Sequence, residues 1–341
     1  MKILTFVIPA YNSARFLDKC VTSMLLPEIL EKLEILVVND GSTDETVSIA
    51  QKYTAQYPQV VRLISQENKG HGGALNTGCA QAQGKYLKVI DADDWVETEN
   101  LPAFLSLLEG CDSDVVLTHH HTIDISTGEI KNWRSYPGAF GRAYDFGHIM
   151  ADWRSFDRSL TFHGITYRTD FYRKYGIRLS EHVFYEDHEY ATFPCCHAET
   201  VTPFDLFVYD YRIGDVAQSV SNANQLKRLG HTETVIRKMV REYRKLPENP
   251  GKRYTAMKTQ ALLLSYLTTS LLVQPDKKTG RRDAAQRMAE CRADAPEIAA
   301  MVQRKYRIFL AMNHLHLGKK LWDRILGSRL YNTLRRNHSF E

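Results

Sequence analysis

Three carboxylates stand within four residues in KYLKVIDADDWV, namely Asp91, Asp93 and Asp94, at the end of a short apolar run that follows Gly84. Carboxylates this close repel and raise one another's pKa, so a cluster at a strand end calls for a cation. Oxygen-only ligands favour magnesium or manganese over zinc. A bare DxD also occurs as a solvated acidic turn; its position gives it weight, because open parallel sheets bind ligands outside the carboxyl ends of their strands. Asp94 is expected either to stand behind the metal ligands or to cap the following helix. A second acidic segment, SEHVFYEDHEYATFP, carries Glu181, Glu186, Asp187 and Glu189 and by itself reads as an acidic helix start. His119, His120 and His121 look like a metal set, yet consecutive residues of a strand point to alternate faces and do not readily share one ion.

The elements that must position these residues follow from hydrophobic patterning. Apolar runs at Leu4–Ile8, Ile35–Val38, Val60–Ile64 and Tyr86–Ile90 predict four strands. Continuous apolar runs of this kind are buried on both faces of a parallel sheet. Between them, Phe16, Leu17, Cys20, Val21, Met24 and Leu25 share one helical face, with Asn12 or Ser13 as cap. Ser42 and Glu45 have capping-box spacing before a second helix, and a third helix is expected over 74–82. Strands alternating with helices at this interval imply a doubly wound, mostly parallel sheet. Beyond a helix at Leu101–Leu108 and a strand at Val115–Thr118, the stretch to Phe146 resists ordering. From Gln225 onward helical patterns dominate, which places a boundary near residue 222 between a first part (1–97 and 98–221) and a helical region (222–341).

Four segments, VIPAYN, VVNDGSTDET, NKGHGGALNTG and VIDADDWV, together resemble the nucleotide-sugar-binding half of a family 2 glycosyltransferase with the GT-A fold. The resemblance spans roughly residues 3–221 and is strongest over the first hundred. It implies that Pro9, Ala10, Tyr11 and Asn12 border the nucleoside and that Asp40 accepts a hydrogen bond from the base. It implies further that Asp91, Ala92 and Asp93 form the DxD motif. There Asp91 reaches ribose or metal and Asp93 binds the Mn2+ or Mg2+ that bridges the diphosphate. Where the family commonly has an arginine just before Asn76, this chain has Leu75; Lys69 or His71 is expected to supply the missing charge, with Gly70, Gly72 and Gly73 letting a phosphate approach the backbone. Asp187 matches the family's general base. Arg212, Gln218 and Ser219 match a segment that closes over the diphosphate, and His163 is a candidate acceptor contact.

The resulting expectation is an inverting, metal-dependent transfer from a nucleoside diphosphate sugar, UDP-linked, to a hydroxyl of a glycan or lipid-linked acceptor. A polyprenyl-phosphate glycosyltransferase, whose acceptor phosphate needs no base, fits the acidic second segment less well. A binding module without turnover fits Asp91, Asp93 and Asp187 less well. An NAD dehydrogenase is disfavoured because no GxGxxG follows the first strand.

The 341 residues suffice for one large domain with an appendage or for two domains. A net charge of +4 is too small to argue for nucleic acid. Six cysteines without CxxC spacing suggest reduced thiols and a cytoplasmic setting. No signal peptide is read at the N-terminus, and the apolar run from Ala261 to Val273 is shorter than the roughly 20 residues a membrane span needs. From Met301 to Glu341, nine Lys or Arg face two acidic residues. Leu321, Trp322, Ile325, Leu326 and Leu330 fall roughly along one face beside them, so residues 315–336 are expected either to contact an anionic membrane surface peripherally or to pack on the catalytic part with their charges solvated.

Overall fold

A computed structural model describes residues 2–215 and 222–327. The expected donor contacts Gln218 and Ser219, and Leu330 of the tail, lie outside the described residues. The chain opens with β1 (Leu4–Ala10), α1 (Ala14–Thr22), β2 (Leu33–Asn39), α2 (Thr46–Gln56), β3 (Val61–Ser65), α3 (Gly70–Gln81) and β4 (Tyr86–Val89). These four strands are parallel, in the order β3-β2-β1-β4. Every residue of β1, β2 and β4 is buried, as expected for strands covered on both faces. β1 runs through Pro9 to Ala10. Its pairing with β4 ends at Val7↔Val89, so the donor that proline lacks falls where that ladder has already stopped.

There follow β5 (Trp95–Val96), α4 (Leu101–Glu109), β6 (Val115–Asp124), β7 (Ile130–Trp133), β8 (Tyr144–Asp145), α5 (Phe146–Ala151), α6 (Trp153–Phe156), β9 (Ile165–Arg168), α7 (Thr169–Lys174), α8 (Asp187–Thr192) and β10 (Thr200–Ile213). They extend the same sheet as β4-β9-β6-β10-β5, with β7 on β6 and β8 on β10. β9 is antiparallel to both neighbours, whereas β6 and β10 pair in parallel. The sheet is therefore mixed in its second half. Leu4, Phe6 and Ile8 of β1 pack with Leu17 and Val21 of α1 and with Phe104, Leu105 and Leu108 of α4 in one core. Each such side chain, fully buried, contributes about 1.5–3 kcal/mol.

Of the two expected caps, Ser13 takes the N-cap position of α1, without a side-chain cap bond, whereas the start of α2 departs from the sequence expectation. α2 is opened by Asp44, whose Oδ1 accepts from Thr46 N (3.0 Å) and Thr46 Oγ1 (2.5 Å); Ser42 instead accepts from Asn12 N (3.0 Å). Asn12 does not cap α1. It adopts the left-handed region, φ 49°, and its Oδ1 accepts from Thr43 N (2.8 Å), tying the loop after β1 to the loop after β2.

The chain divides into two compact units, one of residues 1–218 with 246–255, the other of 219–245 with 256–341. The second comprises α9 (Asn222–Lys227), α10 (Leu229–Lys245), most of α11 (Pro250–Thr268), a π-helical turn at Thr269–Val273, α12 (Lys277–Asp294), α13 (Pro296–His314) and α14 (Lys319–Gly327). Val235, Ile236, Met239, Val240 and Tyr243 form the buried stripe of α10. On α14, Trp322 packs edge-on against Phe309 at 5.0 Å, while Leu321 stays exposed and Lys319 pairs with Asp323. Among the described residues no helix is long and apolar enough to cross a membrane.

Candidate active site

The loops after β1, β2 and β4 and the start of α3 are joined by direct bonds. Ala10 pairs with Asn39 at the end of the β1–β2 ladder, and Asp40 N donates to Ala10 O (2.9 Å). Asp40 is buried, and its Oδ1 accepts from Lys69 N (2.8 Å) and Gln66 Nε2 (2.7 Å). Its Oδ2 has no partner among the described residues. Pro9 and Ala10 are buried, while Tyr11 is half exposed.

β4 delivers the DxD residues. Asp91 N donates to the Tyr209 hydroxyl (3.2 Å), which donates in turn to Asp94 Oδ2 (2.5 Å); Asp94 Oδ1 accepts from Arg212 N (2.7 Å). Asp94 is thus buried and committed to β10. It caps no helix, and each of its oxygens already accepts a hydrogen bond from β10. Burial, with Asp91 and Asp93 adding to it, pushes the Asp94 pKa well above the usual carboxylate range. Carboxylate oxygens of Asp91, Asp93 and Asp94 lie within 4.8 Å of one another. With Asp94 committed, Asp91 and Asp93 are the two that fit a hard divalent cation, with Ala92 buried between them. Burial and the neighbouring Asp91 raise the Asp93 pKa, the mark of a carboxylate short of counter-charge. Arg212 offsets part of this from 3.7 Å, held over the Phe16 ring and paired with Asp215.

His71 joins the two acidic segments. Its Nε2 lies 2.9 Å from Asp91 Oδ1 and its Nδ1 2.5 Å from Glu186 Oε1. Burial opposes charging of the ring, yet the two carboxylates outweigh it and hold the His71 pKa well above the ordinary imidazole value. Lys69, the other candidate for the missing charge, lines a separate cleft of about 500 Å³ with Asn76, Thr77, Arg173 and Glu181. Asn76 does not reach a donor position with its amide free. Its Nδ2 donates to Leu179 O (3.0 Å) and its Oδ1 accepts from Leu179 N (2.7 Å), bracing the segment before α8.

The glycines serve the same bracing. α3 begins at Gly70, four residues earlier than expected, because its first turn lies against residues 180–186. A Cβ on Gly70 would come within 2.8 Å of His182 N, and one on Gly72 within 2.1 Å of Ser180 O and 2.9 Å of Glu186 Cγ. A protein segment, rather than a phosphate, takes the space at both positions. That segment is held in strained backbone, with His182 at φ 55° and Tyr185 at φ 74°, and Glu189 accepts from Ser180 N (2.8 Å) and Oγ (2.6 Å). Gly72→Ala is therefore expected to destabilise the protein by about 2 kcal/mol, a Tm lower by about 4–8 °C in thermal unfolding. An unchanged Tm would mean that α3 and the 180–186 segment are not in close contact.

Asp187 opens α8, half exposed. Its charge and that of Asp91 both act on His163 and Tyr211. The two rings stack at 4.4 Å, with Tyr209 edge-on to His163 at 4.8 Å. Burial takes the His163 pKa down to about 4 in spite of the carboxylates. Beneath it Lys88, fully buried, donates to His163 O (2.6 Å) and Ile165 O (3.2 Å), and burial lowers its pKa to about 7. Sequence reasoning missed Lys88, Tyr209 and Tyr211. A lysine inside the apolar run KYLKVI, and the period-2 alternation of FVYDYRI, were the available signals. The three histidines take different partners, His119 with Asp205, His120 stacked on Trp133, His121 with Asp210.

A family model described as Glycosyl transferase family 2 matches residues 5–176, half of the chain. The chain belongs to that family. This family 2 chain is 35% identical over 136 residues to chondroitin synthase from Escherichia coli, covering 40% of this chain and 20% of the synthase. It is 33% identical over 128 residues to glycosyltransferase GlyG from Streptococcus pneumoniae, 37% of this chain and 42% of GlyG. The chain thus spans less than half the length of these curated relatives. Among solved structures it is similar to S. aureus TarS 1–349 in complex with UDP-GlcNAc, with TM-score 0.63 and 17% identity, covering 100% of this chain and 93% of that one. A mannosyltransferase from Pyrobaculum calidifontis in complex with GDP-Man and Mn2+ aligns with TM-score 0.52 and 16% identity, covering 91% and 84%. The fold is the GT-A fold. At the position where family 2 commonly carries an arginine, Leu75 is fully buried in α3, and a positive charge reaches Asp91 from His71 instead.

Proposed function

We propose that this chain catalyses inverting transfer of a sugar from a nucleoside diphosphate donor, UDP-linked, to a hydroxyl of a glycan or lipid-linked acceptor. One arrangement carries the reading. Glu186 is bound to His71 and Asp94 to Tyr209 and Arg212, while Asp187 has no hydrogen-bond partner among the described residues, so it is the carboxylate left to accept a proton. In the proposed reaction the acceptor hydroxyl gives its proton to Asp187 as its oxygen attacks the anomeric carbon, and the bond from that carbon to the diphosphate oxygen breaks in the same displacement. One inversion results, and no covalent intermediate is needed. Asp91 and Asp93 would hold a divalent cation, which would neutralise charge on the departing diphosphate. His71 and Arg212 orient those two carboxylates and limit their mutual repulsion.

The UDP and UDP-GlcNAc complexes of TarS support a uridine donor, and the Mn2+ complex of the mannosyltransferase supports a metal. Six free, buried cysteines support a reducing, cytoplasmic setting. Incubating the protein with a panel of nucleotide sugars and manganese tests the reading without knowledge of the acceptor. A UDP-sugar is expected to release UDP slowly by transfer to water. Equal background release across the whole panel would count against a donor site for UDP-sugars.

A further inference from the structure

A second cluster of ligand-type side chains lies outside the residues used above. Glu97 follows β5, His121 stands in β6 and Asp210 in β10. The sheet register brings them together, since Asp210 is the cross-strand partner of His121 on one side and of Trp95 on the other. Each offers one ligand atom, all within 4.8 Å of one another. His121 Nδ1 lies 2.9 Å from Asp210 Oδ1 and 3.9 Å from Glu97 Oε2. Metal bonds of about 2.1 Å in a tetrahedral site require ligand atoms about 3.4 Å apart, so these separations bracket that spacing. The imidazole is already oriented, stacked on the Phe207 ring at 4.2 Å with the planes 1° apart.

We propose that Glu97, His121 and Asp210 bind one divalent transition-metal ion of the zinc class, at a site separate from the Asp91–Asp93 pair. The donor set decides the class, because one imidazole with two carboxylates suits zinc or cobalt, whereas an all-carboxylate pair suits magnesium and manganese. Three protein ligands leave a fourth position for water. Asp210 is buried with only His121 bonded to its side chain, and the Glu97 carboxylate stands on the other side of the same imidazole. Lys19 acts on Asp210, but its ammonium is seated over the Trp95 ring. The bound ion clamps β5 and β6 to β10. Asp210 lies between Tyr209 and Arg212, the two residues bonded to Asp94, so the clamp fixes the register on which the DxD loop rests.

Equilibrium dialysis of the full chain against zinc chloride, and cobalt absorption in the visible range, test this. The native protein is expected to bind one more tight equivalent of zinc than His121→Gln, and cobalt bound there is expected to give d–d bands that His121→Gln loses. Asp93→Ala should retain both, which separates this site from the DxD pair. Glu97→Gln, at the half-exposed rim, serves as a second variant should His121→Gln melt early, and is expected to weaken zinc binding at least tenfold. Equal zinc stoichiometry and affinity in native, His121→Gln and Glu97→Gln protein would overturn the proposal and leave the three side chains as an ion-paired brace. Loss of the tight equivalent in Asp93→Ala alone would overturn it too.

Discussion

Replacing Asp187 with asparagine is expected to lower sugar transfer by about 100-fold or more while donor binding persists. The substitution keeps size and removes only the proton acceptor. No neighbour is placed to take over. Glu186 is buried with an oxygen on His71, Glu189 is bonded to Ser180, and Asp94 to Tyr209 and Arg212. His163 also lies close, but its ring is stacked on Tyr211 with Tyr209 edge-on to it. The assay compares product formation with UDP affinity in the two proteins. Transfer near the native rate in Asp187→Asn would show that another group takes the proton.

Asp93→Ala is expected to slow turnover of the donor by a similar factor of about 100, equal to about 2.7 kcal/mol of transition-state stabilisation. Asp91 already shares Oδ1 with His71 and Asp94 has both oxygens committed, so Asp93 is the least engaged carboxylate of the cluster. Its side chain is 41% exposed, and truncation should leave the fold intact. Arg212 loses one partner but keeps Asp215. Release of UDP from the sugar nucleotide, followed beside thermal unfolding, separates the two effects. A variant that unfolds early would implicate structure, and one that turns over normally would remove Asp93 from the site.

The strand ends and the DxD loop were legible in the sequence because local patterning determines them. Buried parallel strands write their apolar runs in full, and Asp40 and Asp91 follow those runs directly. What was not legible depends on distant pairing. β9 enters between β4 and β6 from a stretch whose own pattern is short, and no periodicity announces that Tyr209 will meet Asp94. The sequence marks His71 as a charge, but its bond to Glu186 joins residues 115 apart in the chain. The glycines of NKGHGG were read for a ligand because backbone access looks the same in sequence whether a phosphate or the 180–186 segment takes the space. Asp94 admits two roles in the sequence for a like reason, since its partners come from the far end of β10.

Metal-assisted binding of the donor's diphosphate at Asp91 and Asp93 is the claim on which the other roles depend. Calorimetric titration of the native protein with UDP, with and without Mn2+, tests it most directly. Manganese should tighten UDP binding clearly, and Asp93→Ala should lose that gain while remaining folded. Equal UDP affinity with and without manganese in the native protein would contradict the assignment.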